Sequence, residues 1–136
     1  MIRPIMKSEM FLAQPSEDAT LADVPVAQDL LDTLAAHADS CVGMAANMIG
    51  VRKRIIAFVD GAARRAMLNP QIVFAQGSYQ VQEGCLSLAG KRDAVRHKRI
   101  KVRYVGLDGK ERTEAFSGWT AQIIQHEVDH TNGIVI

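Results

Sequence analysis

Gln125-His126-Glu127-Val128-Asp129-His130 is the stretch on which the reading of this 136-residue chain turns. Trp119, Ile123 and Ile124 precede it, Ser117 stands ahead of them as a helix cap, and Asn132-Gly133 follows as a stop, so a helix over about Gly118–Thr131 is predicted. Positions four apart share one helical face, so His126 and His130 can aim two imidazoles at one metal ion, with Glu127 beside them as a general base. A catalytic metal takes three protein ligands and keeps one position open. His37 and His97 are spare imidazoles, but neither sits in a loop built to aim it. Cys85 does: in Glu83-Gly84-Cys85-Leu86-Ser87 the glycine frees the backbone where a strand ends. A thiolate with two imidazoles suits Zn²⁺ or Fe²⁺. The rival reading, a zinc protease, needs a further His or Glu ligand downstream, and residues 131–136 supply none.

Outward from this helix the pattern is mainly β. Ile100, Val102 and Tyr104 alternate with Lys101 and Arg103, a strand with one wet face. Leu107-Asp108-Gly109-Lys110 carries the Asp-Gly hairpin signal that returns the chain through residues 111–116. Ile55-Ile56-Ala57-Phe58-Val59 is a short strand ended by Asp60-Gly61, and Ile72-Val73-Phe74 is another, entered after Asn69-Pro70. Nearer the start, Ala27, Leu30, Leu31, Leu34 and Ala38 fall on one helical face, with Thr20 or Asp23 as cap and Pro25 in the first turn. An N-terminal helix, mixed and mainly antiparallel strands, and a C-terminal HExxH helix make an α+β fold. The length fits one domain over residues 1–136.

Composition excludes several classes. Sixteen Lys+Arg against fifteen Asp+Glu give a formal charge of +1, so no global field draws in DNA, RNA or an anionic membrane. No apolar run approaches the roughly 20 residues of a membrane helix. Residues 1–13, broken by Arg3, Lys7 and Glu9, lack the core of a signal peptide, and a cytoplasmic protein is expected. Two cysteines, Cys41 and Cys85, make no disulfide framework.

Taken together, Glu83-Gly84-Cys85-Leu86-Ser87, the histidine string, and Gly43-Met44-Ala45-Ala46-Asn47-Met48-Ile49-Gly50-Val51 resemble the three signatures of peptide deformylases, in that family's order and at comparable spacing. The resemblance covers about residues 20 to 136. It implies a metallohydrolase that removes the formyl group from N-formylmethionyl peptides by attack of metal-activated hydroxide. Cys85, His126 and His130 would hold one Fe²⁺ per chain, with Zn²⁺, Ni²⁺ or Co²⁺ as substitutes, and Glu127 would serve as general acid and base. The backbone N–H of Leu86 would hold the oxyanion. Gly43 belongs to the substrate-facing signature, and Val42, Trp119 and Ile123 match positions that line the methionine pocket, where the bulk of Trp119 would narrow it. Arg92, rather than Arg96, matches a substrate-contacting arginine, and Arg96-His97-Lys98-Arg99 reads as a solvated loop face. Transient contact with the ribosome follows from the substrate.

The sequence also departs from the family pattern. Met48 stands where the family has a glutamine whose amide polarises the formyl oxygen, and a thioether donates no hydrogen bond. Reduced or altered activity is one expectation, and a non-catalytic metal-binding paralogue is the alternative. Asn47 carries an amide next door, but its side chain is expected to point elsewhere. Cys41 replaces a glycine and is read as a small buried residue, the sharper reading being a thiol that pairs with Cys85 under oxidant.

Overall fold

The computed structural model describes residues 1–135. Its frame is a five-stranded sheet in the order β1-β2-β3-β4-β5, with every neighbouring pair antiparallel. The strands are β1 (Gly43–Ala45), β2 (Ile55–Asp60), β3 (Ala63–Cys85), β4 (Leu88–Val105) and β5 (Glu111–Ser117). The helices are α1 (Glu9–Leu12), α2 (Val24–Ala36) and α3 (Gly118–Thr131). The one parallel pairing described is an isolated bridge between Glu17 and Lys53. No helix among the described residues is long and apolar enough to cross a membrane.

The unbroken apolar run at residues 55–59 is explained by β2 lying between two helices. Ile55 and Ala57 face a core with Leu30 and Leu34 of α2, while Ile56 and Phe58 face a second core with Ile123, Ile124 and Val128 of α3. A strand covered on both faces needs no alternation. β4 does alternate, because only one face is covered: Ile100, Val102 and Tyr104 pack in the α3 core while Lys101 and Arg103 stay exposed.

Both sequence-read helices form, and Pro25 sits in the first turn of α2 as expected. The caps differ. Asp23 makes no side-chain cap on α2; its carboxylate instead closes a reciprocal capping box with Thr20 on the 3-10 turn Leu21–Asp23. Ser117 is extended at the N-cap of α3, but its hydroxyl makes no cap bond. The strand around Ile72 is the middle of β3, and the strand around Ile100 is the second half of β4. The two make one long hairpin, kinked where Asn69 takes φ 51°. The Asp-Gly turn forms, with Gly109 at φ 83° and a Gly106 N–H bond to the Lys110 carbonyl.

The run Arg96-His97-Lys98-Arg99 corrects the sequence reading. It lies inside β4, not in a loop; Lys98 and Arg99 are exposed, whereas Arg96 is 4% exposed. The alternation of the strand turns Arg96 inward on the face of Ala94, and charge alone could not reveal that.

Candidate metal centre

β3 ends at Cys85, and the next two residues, Leu86 and Ser87, form the turn into β4. That turn faces α3, which brings His126 and His130 to it from one turn apart. The ligand atoms of Cys85, His126 and His130 all lie within 4.8 Å of one another. The Nε2 atoms of the two rings face each other at 3.0 Å, and both rings are buried. Two such nitrogens can share one proton or one cation. His126 takes the proton: burial works against its charge, but contacts with Cys85 and Glu83 outweigh burial and raise its pKa. His130 is pushed down, first by burial and then by the neighbouring His126 charge. A thiol and two buried imidazole nitrogens at this spacing fit a divalent cation with mixed sulfur and nitrogen ligands.

Behind His126 stands a buried charge network that sequence reasoning did not anticipate. Glu83 Oε1 lies 2.8 Å from His126 Nδ1. Arg96 grips the same carboxylate, with Nη2 2.6 Å from Oε1, and reaches Asp129 Oδ2 at 2.6 Å with Nη1. Gln122 Nε2 donates to the other oxygen, Glu83 Oε2, at 2.9 Å. Burial opposes ionisation of Glu83, but the bonds from His126, Arg96 and Gln122 outweigh it and hold its pKa at about 2. Glu83 and Asp129 were visible only as parts of their motifs. Their roles depend on Arg96, which reaches them from a different strand.

Glu127 is surrounded differently. It is buried, and its Oε1 has no hydrogen-bond partner among the described residues. Burial raises its pKa from the ordinary 4.5 to about 7. Gly43 makes room for it: a Cβ there would stand 2.8 Å from Glu127 Oε2 and 2.7 Å from Ile123 Cγ2.

A cavity of about 480 Å³ opens over these groups. Cys85, Leu86, His126 and Glu127 form its chemical wall, and Gly43, Met48 and Ile123 line it beside them. Trp119 lines it too, yet is 62% exposed, so the ring stands at the rim; Val42 is likewise half-exposed there. His130 lies behind the wall, fully buried. Arg92 lies outside the lining, its guanidinium 3.4 Å from Glu9, while Lys91 lines the cavity. Lys7 was not singled out in the sequence; its Nζ donates to the Leu86 carbonyl at 2.9 Å.

Cys41 lines the same cavity and donates to the Gly43 carbonyl at 2.9 Å. Burial pushes its thiol up to about 11, and both cysteines are free. Asn47 points away from the cavity: it is fully buried, and its Nδ2 donates to the His130 carbonyl at 2.9 Å.

Comparison with known proteins gives one consistent match. The family model for polypeptide deformylase matches residues 2–136. A peptide deformylase of Clostridium beijerinckii is 48% identical over 136 residues, covering 100% of both chains. One from Thermoanaerobacter pseudethanolicus is 34% identical, covering 90% of this chain and 77% of its own. Among solved structures, a Met-Ala-Ser-bound class I type b peptide deformylase from Acinetobacter baumannii superposes with TM-score 0.88 at 27% identity, over 99% of this chain and 97% of its own. The peptide deformylase of Thermotoga maritima gives 0.89 at 27% identity, over 99% and 95%.

Proposed function

The chain belongs to the peptide deformylase family, metal-dependent hydrolases acting on N-formylmethionine peptides, and from that premise we propose how its own residues divide the work. Cys85, His126 and His130 hold one divalent ion, which we take to be Fe²⁺, with Zn²⁺, Ni²⁺ or Co²⁺ as substitutes. The observation that carries this reading is the convergence of their three donor atoms within 4.8 Å, next in the chain to a buried carboxylate oxygen of Glu127 with no partner among the described residues. When bound, the ion supplies Lewis acidity to the formyl carbonyl and to the attacking water.

Glu127 Oε1 takes the proton of that water and delivers it to the leaving amine, releasing formate. A pKa of about 7 lets one group do both near neutral pH. The Leu86 N–H holds the charge developing on the formyl oxygen. Glu83, braced by Arg96, keeps the proton of His126 on Nδ1 and so leaves its Nε2 lone pair free. Val42, Ile123 and Trp119 receive the methionine side chain, and Lys91, in place of Arg92, stands ready for the peptide backbone at the mouth. The Met-Ala-Ser peptide in the Acinetobacter relative supports a peptide occupant. Nascent chains carry the substrate, so encounter is near the ribosome.

Formate release from formyl-Met-Ala by Fe²⁺- or Co²⁺-loaded protein, measured beside Glu127→Ala, tests this reading. Equal rates for the two proteins end it. Met48, a buried thioether where an amide donor is expected, supports a second reading as a metal-binding protein without turnover.

A further inference from the structure

A metal-binding imidazole that offers one ring nitrogen to the ion carries its proton on the other, and that N–H needs an acceptor to fix the tautomer and ring angle. His126 has one in Glu83, 2.8 Å from its Nδ1. His130 turns Nε2 to the same cluster, and its Nδ1 is buried without a partner among the described residues. Asn47 sits in the 3-10 turn Ala46–Ile49, fully buried. Its Nδ2 must face the His130 carbonyl, since a carbonyl can only accept, so the orientation of the amide is unambiguous. The other end, Oδ1, is then a buried acceptor with no donor among the described residues. An unmatched donor and an unmatched acceptor therefore belong to two residues already joined by a hydrogen bond.

We propose that Asn47 is the positioning residue for His130: Nδ2 clamps its carbonyl, and Oδ1 accepts its Nδ1–H through one bridging water, which aims the Nε2 lone pair at the metal. The inference rests on the reading of His130 as a ligand. It also gives Asn47 a task away from the cavity and from the amide that Met48 lacks. Ser16 offers a competing acceptor. Its Oγ is buried without a partner among the described residues, and its N–H holds the Thr131 carbonyl at 2.9 Å.

The test uses the full chain loaded with Zn²⁺ and labelled with ¹⁵N on its histidine rings. Ring ¹H–¹⁵N spectra should place the His130 proton on Nδ1, in slow exchange, in the unaltered protein, in Asn47→Asp and in Ser16→Ala. In Asn47→Leu that signal should be lost to fast exchange, and competition with a chelator should show Zn²⁺ binding weakened about 10–100-fold. Asn47→Asp keeps the acceptor for Nδ1–H but loses the donor to the His130 carbonyl, so the Nδ1 signal should persist while Zn²⁺ binding weakens less than in Asn47→Leu. Three results overturn the proposal: a proton on Nε2 in the unaltered protein, an unchanged signal and affinity in Asn47→Leu, or loss of the signal in Ser16→Ala alone. Should Asn47→Leu not fold, the unaltered protein, Asn47→Asp and Ser16→Ala still decide it. Failure of the unaltered protein to bind Zn²⁺ would instead remove the ligand reading itself, and the proposal with it.

Discussion

Replacing Glu127 by glutamine in the metal-free protein should reveal how much burial of this carboxylate costs the fold. Its pKa is pushed from 4.5 to about 7 by burial, opposed in part by the neighbouring His126 charge. Below pH 4.5 the group is protonated in both folded and unfolded chains and costs nothing. Between 4.5 and about 7 the unfolded chain releases its proton while the folded protein keeps it, so stability falls as pH rises. Above that interval the penalty is complete, about 3.5 kcal/mol at roughly 1.4 kcal/mol per pH unit. Between pH 5 and about pH 8.5 the change amounts to about 2.5 kcal/mol. Glutamine has the same shape and no charge to bury. With an m-value of about 1.5 kcal/mol/M, the urea midpoint of Glu127→Gln should therefore rise relative to the parent by about 1.5–2 M across that range. Other titrating groups are common to both proteins and largely cancel in the difference. Chelator-treated samples followed by circular dichroism give the measurement. A difference that stays constant with pH would refute the claim that Glu127 is held near neutrality by its surroundings, and with it the basis for its double role.

Three further outcomes are expected. Arg96→Met leaves Glu83 and Asp129 without their shared partner and should cost about 3–5 kcal/mol, read from urea unfolding; a loss below about 1 kcal/mol would mean that the network is dispensable. Gly43→Ala puts a methyl 2.8 Å from Glu127 Oε2, so formate release should fall about 10²-fold through displacement of the carboxylate, with overpacking costing about 1–3 kcal/mol; unchanged turnover would show that the carboxylate can move without consequence. Met48→Gln returns an amide to the cavity wall and should raise kcat about 10²-fold with little change in KM, whereas no gain with any metal would favour the non-catalytic reading.

The histidine pair of the candidate site was legible because its spacing rests on local geometry. His126 and His130 are one helical turn apart whatever surrounds them, and the caps and apolar spacing that announce α3 lie within a few residues. The Asp-Gly turn and the helix with Leu30 and Leu34 are legible for the same reason. Their signals are short-ranged, and the structure reproduces them. Strand lengths were not legible. The strand fragments around Ile72 and Ile100 lie in a long hairpin whose exposed, polar residues carry no apolar pattern, so cross-strand pairing alone extends it.

The sequence by itself determined that His126 and His130 share one face of a helix with Glu127 beside them, since that is a matter of side-chain type and of spacing along a helix. Only the tertiary structure decided what stands behind them. Arg96 reads as one of four basic residues in a row until strand pairing turns it inward onto Glu83 and Asp129. Asn47 reads only as an amide pointing away from the substrate, and the packing of its turn against α3 is what aims it at His130. Such long-range contacts are set by how layers pack, and desolvation, which tunes Glu127, exists only once those layers have closed over it.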